Sequence, residues 1–305
     1  MIFGYAGKSI TQFSSRFFFK SPKPLYKIKN FGGTKMELLN IDIPYSVKDK
    51  YSKISLPNNL NEELAEFVGI IIGDGHLSHQ IRKYSNFYSL TISCNYTEDM
   101  DYFNNVINPL FEKLFNARLS TIKNKKLNYF NAVKCSKSVV NFLNLNFSIP
   151  IGNKTSDVKV PQCILRTNDS IKCAFVRGLT DTDFSLAFQN RKQFHSYPII
   201  KCSLKSKLII FQLSEILVGL GFKARLAFNE RNFDKRFNVN YERHLVYLSG
   251  KDNLEKWISL IGFNNPRLHS KYLIWQNFGF CPPNTTLEQR KQILAGSIDP
   301  RSFYK

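Results

Sequence analysis

The apolar and polar positions of this chain fall into a pattern that occurs twice. The first pass opens at Asn61-Glu62-Glu63 and runs into Phe67-Val68-Gly69-Ile70-Ile71-Ile72-Gly73-Asp74-Gly75. Acids in a first turn suit the positive end of a helix dipole, so this stretch predicts a helix. The apolar period then changes to two, and 76–81 and 87–94 predict strands. After Thr97, which predicts a cap, Tyr102, Phe103, Val106, Ile107, Leu110, Leu114 and Phe115 recur at helical spacing over 98–115. Segments 118–123 and 127–134 predict a hairpin across Asn124-Lys125-Lys126, and 136–145 a short helix. The order then repeats. A short helix at 162–166 precedes a longer one over 170–182. Strands follow at 184–189 and 198–204, a helix over 207–220, strands at 223–228 and 243–249, and a helix over 252–261. A last helix over 265–280 is stopped by Pro282-Pro283, and 297–305 is expected to be loose.

The second helix of this pattern carries Phe175-Val176-Arg177-Gly178-Leu179-Thr180-Asp181-Thr182-Asp183. Gly69 and Gly178 lie 109 residues apart, too long a period for a solenoid repeat and suited to a duplicated α/β unit. Each copy has small residues four apart, Gly69 with Gly73 and Gly178 with Thr182, and residues four apart share a helix face. Small residues there let a second backbone approach. Helices packed through these faces bring Asp74 and Asp183 side by side. An acid at a helix C-terminus faces the negative end of the dipole, at a cost of about 0.3–1 kcal/mol. Two such acids repel unless something positive lies between them, and a divalent metal held by Asp74 and Asp183 is the simplest answer. Asp181, two residues earlier, points away from the pair and reads as structural. Packing alone explains the glycines but not an acid at the same end of both helices.

Composition narrows the partner. At 305 residues and 43% hydrophobic content the chain can bury a core as one or two domains. The net charge of +20 points to a polyanion, nucleic acid first and an acidic membrane surface second. No apolar run reaches transmembrane length, so no membrane is expected. Six cysteines without a CxxC pair read as buried thiols of an intracellular protein. His76 and His79 form an HxxH near Asp74, but on a strand their side chains face opposite ways. Residues 1–36 hold no acid. They read as a transit peptide, as a basic arm on a phosphate backbone, or as untranslated sequence before a start at Met36, the last or simple disorder carrying most weight. A cytoplasmic location is expected, or an organellar one if those residues are a transit peptide.

The two stretches resemble the LAGLIDADG motif of homing endonucleases in the single-chain form with two copies, and the second copy looks like the archaeal-type version. The match departs at Ile72, where the family has a polar or acidic residue, and at Phe184, where a closing glycine is usual and where Phe takes positive φ only at a cost. The linker 148–161, with Gly152-Asn153-Lys154-Thr155 and Pro161, is also similar to the family. The resemblance covers roughly 60–280.

It implies an α+β fold of two pseudo-symmetric αββαββα halves. Their saddle-shaped antiparallel sheets have helices on one face, and the other face lies on the DNA major groove. The corresponding divisions are a basic N-terminal extension over 1–60, a first half over 61–147, a linker over 148–168, a second half over 169–282 and a tail over 283–305. The implied activity is site-specific, double-strand cleavage of DNA by a monomer with Mg2+. Asp74 and Asp183 match the catalytic acids, one for each strand cut, across a narrowed minor groove. Ser93 and Lys201 match water-positioning sites, and Lys154 and Lys271 match basic sites near the reacting phosphate. Each lysine reads equally well as a plain surface charge. Basic hairpins at Arg82 and Lys83, Lys125 and Lys126, Arg191 and Lys192, and Arg231 with Lys235 and Arg236 are the expected DNA contacts. No splice-junction frame is visible, so a free-standing, intron-encoded enzyme is expected. The alternatives are an RNA maturase acting on intron RNA, or a binding protein that kept the fold and lost cleavage.

Overall fold

The computed structural model describes residues 43–83, 85–154, 158–234 and 238–304. Val47–Tyr51 (α1) leads into Glu62–Gly73 (α2), whose N-cap is Asn61. A hairpin follows, Gly75–Arg82 (β1) and Ser85–Asn95 (β2). Met100–Tyr102 (α3), a wide π-turn over Phe103–Ile107 and Asn108–Phe115 (α4) form one bent rod. Ser120–Asn124 (β3), Tyr129–Cys135 (β4) and Lys137–Phe147 (α5) complete the first half. The second half comprises Gln162–Leu165 (α6), Asp169–Asp183 (α7), Phe184–Arg191 (β5), Phe194–Leu204 (β6), Lys207–Gly219 (α8), Arg225–Asp234 (β7), Val239–Ser249 (β8) and Lys251–Leu260 (α9). Pro266–Phe278 (α10), Leu287–Leu294 (α11) and a 3-10 turn over Pro300–Tyr304 close the chain.

Each half is a four-stranded antiparallel sheet of the same order, β1-β2-β4-β3 and β5-β6-β8-β7. Alternation along the strands buries one face: Leu77, Leu90, Ile92, Phe130 and Ala132 in the first sheet, Leu186, Ile200, Cys202, Val246 and Leu248 in the second. Helices cover that face and leave the other open. The two sheets meet at α2 and α7. A Cβ at Gly69 would strike the Phe175 carbonyl oxygen, and one at Gly178 the Glu66 carbonyl oxygen, so the two backbones touch only because both residues are glycine.

Several elements differ from the sequence expectation. Thr97 does not cap a continuous helix; the Asn95 side chain accepts from the Thr97 and Glu98 amides in a local turn. The rod widens before Pro109, which has no N–H to give to the preceding turn. The first hairpin runs longer than expected, and β6 starts at Phe194, before Pro198. Pro198 is tolerated because β6 meets β8 only from Ile199 onward. Where 297–305 was expected to be loose, Pro300–Tyr304 forms a 3-10 turn that follows α11. Arg290 is fully buried, its guanidinium donating to Ser270 Oγ (2.9 Å), Glu98 Oε2 (2.8 Å) and the Thr285 carbonyl. Tyr304 packs edge-on to Phe194, with ring centroids 5.1 Å apart. Glu98 belongs to the first half, so the chain's end ties the halves together. All six cysteines are free thiols; Cys94, Cys173, Cys202 and Cys281 are buried as expected, while Cys135 and Cys163 are only half-buried. No helix among the described residues is long and apolar enough to cross a membrane.

Candidate active site

The acids sit where the two central helices run into their sheets. Asp74 is the C-cap of α2, its N–H bonded to the Ile70 and Ile71 carbonyls. Asp183 is the last residue of α7. A Cβ built on Gly73 would lie 3.2 Å from Asp183 Oδ2, so the second acid is held against the end of the first helix. Burial pushes the Asp74 carboxyl up to about 7, helped by the charges of Asp183 and Asp99. Burial likewise raises Asp183 to about 6, with Lys154 and Arg267 pulling it back. Two desolvated carboxyls therefore lie together with less positive charge than they need.

Lys154 supplies part of that charge. Its ammonium donates to the carbonyls of Ile71 (3.0 Å), Ile72 (2.8 Å) and Gly73 (2.6 Å), the open end of α2. Burial lowers its pKa, and Asp183 and Asp74 oppose that shift. It gets there because the linker joins the edge of the first sheet: Ile151 bridges Leu77 and the Gly152 amide donates to the Leu77 carbonyl at 2.7 Å. Gly152 turns the chain at a φ of 101°.

The second helix has an equivalent cation, and it is Arg267. Its guanidinium donates to the carbonyls of Asp181 (3.2 Å) and Thr182 (3.4 Å), the open end of α7, and lies 3.4 Å from Asp99. Lys271 lies one turn further along α10 and donates to the Leu186 carbonyl at 3.1 Å. Its charged surroundings are Arg290, Cys281, Arg267 and Glu98 rather than the acid pair. The sequence did hold a signal for Arg267. Lys154 comes seven residues after the end of α5 at Phe147, and Arg267 seven residues after the end of α9 at Leu260.

Register places the strand residues. The Ser93 amide donates to the Asp74 carbonyl at 3.1 Å, and its hydroxyl to Asn131 Oδ1 at 3.0 Å. Gly75 pairs with Ile92, and Phe184 pairs with Cys202. The counterpart of Ser93 is therefore Ser203, and that of Lys201 is Thr91, two residues further from the acids. Asp181 is buried, its Oδ2 accepting from the Asn264 amide at 3.0 Å, and burial raises its carboxyl to about 8. Phe184 takes extended backbone, φ −89°, and buries its ring against Trp257 with centroids 5.9 Å apart. The expected demand for positive φ does not arise, because β5 begins directly after the helix.

The basic hairpin residues lie at the rims of the open faces. Lys83, Lys125, Lys126, Lys192 and Arg231 are exposed, and the Arg191 guanidinium stacks 4.8 Å from the Tyr197 ring centroid. Arg82 closes β1, and Lys235 and Arg236 lie outside the described residues. The hairpins β1–β2, β3–β4 and β5–β6 contain no acid.

Two αββαββα halves thus meet through the motif glycines, with one acid from each at the shared end. The chain resembles the LAGLIDADG homing endonucleases in motif and in fold. No family model matches it. Among solved structures it is similar to mesophilic variants of the homing endonuclease I-DmoI, with 16% identity, 66% of this chain and 95% of that one covered and a TM-score of 0.48. It is also similar to I-DmoI in complex with DNA and Mn (18% identity, 67% and 98% covered, TM-score 0.47). A third likeness is to the meganuclease I-SmaMI bound to uncleaveable DNA (12% identity, 79% and 99% covered, TM-score 0.45). Two curated proteins of Methanocaldococcus jannaschii also match. The isomerizing glutamine–fructose-6-phosphate aminotransferase is 24% identical over 211 residues, 69% of this chain and 17% of that protein. The replication factor C small subunit is 29% identical over 225 residues, 71% of this chain and 10% of that protein. The chain spans less than a fifth of the length of either.

Proposed function

We propose that this chain is a site-specific, double-strand DNA endonuclease of the LAGLIDADG type, acting as a monomer by metal-assisted phosphodiester hydrolysis. The observation that carries this reading is the pair of half-buried carboxyls, Asp74 and Asp183, one from each half, at the junction of two open sheets with basic rims. The donor set suits a hard divalent ion such as magnesium, because it is all oxygen and short of positive charge. Among the described residues no third His, Cys, Asp or Glu joins the pair, which leaves room for water and phosphate oxygens as the remaining ligands. When bound, the ion would activate water and stabilise the leaving oxygen.

The chain's own residues then have separable tasks. Asp74 and Asp183 hold the ion and must lose their protons to do so, so metal affinity rises with pH through about 6 to 7. Lys154 and Arg267 hold the helix ends that carry the acids and place positive charge beside them. Arg267, rather than Lys271, is the second basic group in this reading. Ser93 and Ser203 flank the acids on the strands, within reach of a water.

The test is cleavage of a randomised duplex-site library by the full chain with magnesium, beside Asp74→Asn and Asp183→Asn. Double-strand cuts by the parent, lost in each variant, support the reading. A parent that binds duplex DNA but never cuts with any divalent metal would sink the hydrolase assignment and make intron RNA the next substrate to try.

A further inference from the structure

We infer that the two open faces read DNA by different chemistry, with Lys201 and Arg225 selecting guanine in one half-site. This rests on the DNA-binding reading above. The ladder registers let the two faces be compared position by position. One row out from the acids, the first sheet presents His76, Thr91, Val133 and Ser120 on adjacent strands. The equivalent row of the second sheet is Ser185, Lys201, Tyr247 and Arg225. Their strand neighbours Leu186, Ile200, Cys202, Val246 and Leu248 are buried under the helices, so this row faces the open side.

The first row carries no Lys, Arg, Asp or Glu. Around it hydroxyls and amides engage one another: Ser78 Oγ lies 2.8 Å from Ser89 Oγ, and Ser93 donates to Asn131. The second row carries two cations on either side of a tyrosine. Among the described residues neither the Lys201 ammonium nor the Arg225 guanidinium has a hydrogen-bond or ion-pair partner. Arg243, farther along β8, stands opposite the acid Glu230 in the ladder, whereas no acid is registered against Lys201 or Arg225.

Geometry favours base edges over phosphates for this pair. Lys201 and Arg225 are two strands apart, so their Cα atoms are separated by about 10 Å. A row of that width fits a major groove about 12 Å wide. The basic residues at the hairpin tips and rims are better placed for the backbone, whereas this row lies beside the acids, at the start of β5 and β7. Arg and Lys both pair with the O6 and N7 acceptors of guanine. Hydroxyls serve either donors or acceptors and discriminate less. Lys201, offset from Ser203, is thereby a base reader rather than a water-positioning group.

The test is binding selection on a randomised duplex library by the full chain without a catalytic metal, comparing the parent with Lys201→Met and Arg225→Met. The parent is expected to select guanine at discrete positions in one half-site. Each variant is expected to lose about ten- to hundredfold discrimination at one such position, leaving the other half-site and the salt dependence unchanged. Lys201→Arg and Arg225→Lys keep the donor chemistry and are expected to retain guanine, which separates readout from misfolding. Lys125→Met serves as a phosphate-contact control, weakening all sequences alike and flattening the salt dependence. If Lys201→Met and Arg225→Met behave like that control, or if the parent shows no guanine preference, the inference is overturned. A parent that binds no duplex DNA overturns the proposed function itself and this inference with it.

Discussion

The first motif helix ends in Gly73-Asp74-Gly75 and the second in Thr182-Asp183-Phe184, and the two ends are built differently around the same acid. A Cβ at Gly75 would come within 2.6 Å of Ile71 Cα, so that residue must be glycine. Its counterpart Phe184 needs no such freedom and fills the core of its half. Gly73 is open because Thr182 occupies its space, and the Thr182 hydroxyl turns back to the Leu179 carbonyl at 2.9 Å. Ile72 is plain core, whereas Asp181 binds the turn that leads into α10. Across the seam Glu66 of α2 takes two bonds from Arg177 of α7, at 2.6 and 3.1 Å, while the positions related by the repeat, Phe175 and Val68, are apolar. The acids and the backbone contact are common to both halves, whereas each half has its own supports. Where one helix end is held by a lysine from the linker, the other is held by an arginine from α10.

Loss of cleavage is the largest effect expected from changing the two helix ends. Asp74→Asn and Asp183→Asn should each reduce double-strand cleavage on the order of a thousandfold or more, measured with magnesium on the selected site. Equal loss in both would show the acids still act as a pair; a variant that retains nicking of one strand would assign each acid its strand. Next is the one-sided ion pair of the seam. Arg177→Met leaves Glu66, only 6% exposed, without its cation and should cost about 3–5 kcal/mol in urea unfolding. Arg177→Met with Glu66→Leu should recover most of that, and no recovery would mean the pair does more than satisfy itself.

Smaller effects sharpen the contrast between the glycines. Gly69→Ala meets backbone and should cost about 1–3 kcal/mol or more, with no side-chain change able to relieve it. Gly73→Ala meets the Thr182 side chain, so Thr182→Gly should restore much of its Tm. The mildest prediction concerns pH. Asp74, Asp183 and Asp181 all have folded pKa values above the ordinary 3.8, at about 7, 6 and 8. Groups raised in this way stabilise the fold fully below the unfolded pKa, and that contribution is lost as pH rises through the folded value. In chelator, Tm should therefore fall between about pH 4 and 8, and Asp181→Asn should flatten the upper part of the fall. Magnesium should offset the Asp74 and Asp183 share but not that of Asp181.

Much of the architecture was legible in the chain because it rests on local periodicity. The repeat of apolar helix, paired strands and acid predicted both halves, and the small residues four apart predicted the seam. Thr97 misled because a cap residue is recognised by composition, whereas the actual turn is set by Asn95 and by Pro109 fourteen residues on. The tail misled because its polar sequence hides one fully buried arginine whose partners, Glu98 and Ser270, lie far away in the chain. Lys271 is the residue that position after the last helix of the second half suggests, whereas it is the Arg267 guanidinium that reaches the end of α7, because distance along a chain does not say which way a side chain reaches.

What the sequence alone determined is the pair Asp74 and Asp183, their helices and the two sheets, since hydrophobic period and backbone-sized contacts are written residue by residue. Only the tertiary structure decided which cations face the acids, which serines flank them and which strand residues share a row. Those relations depend on ladder register and on a linker crossing a sheet edge, and a shift of one residue would turn each side chain to the opposite face.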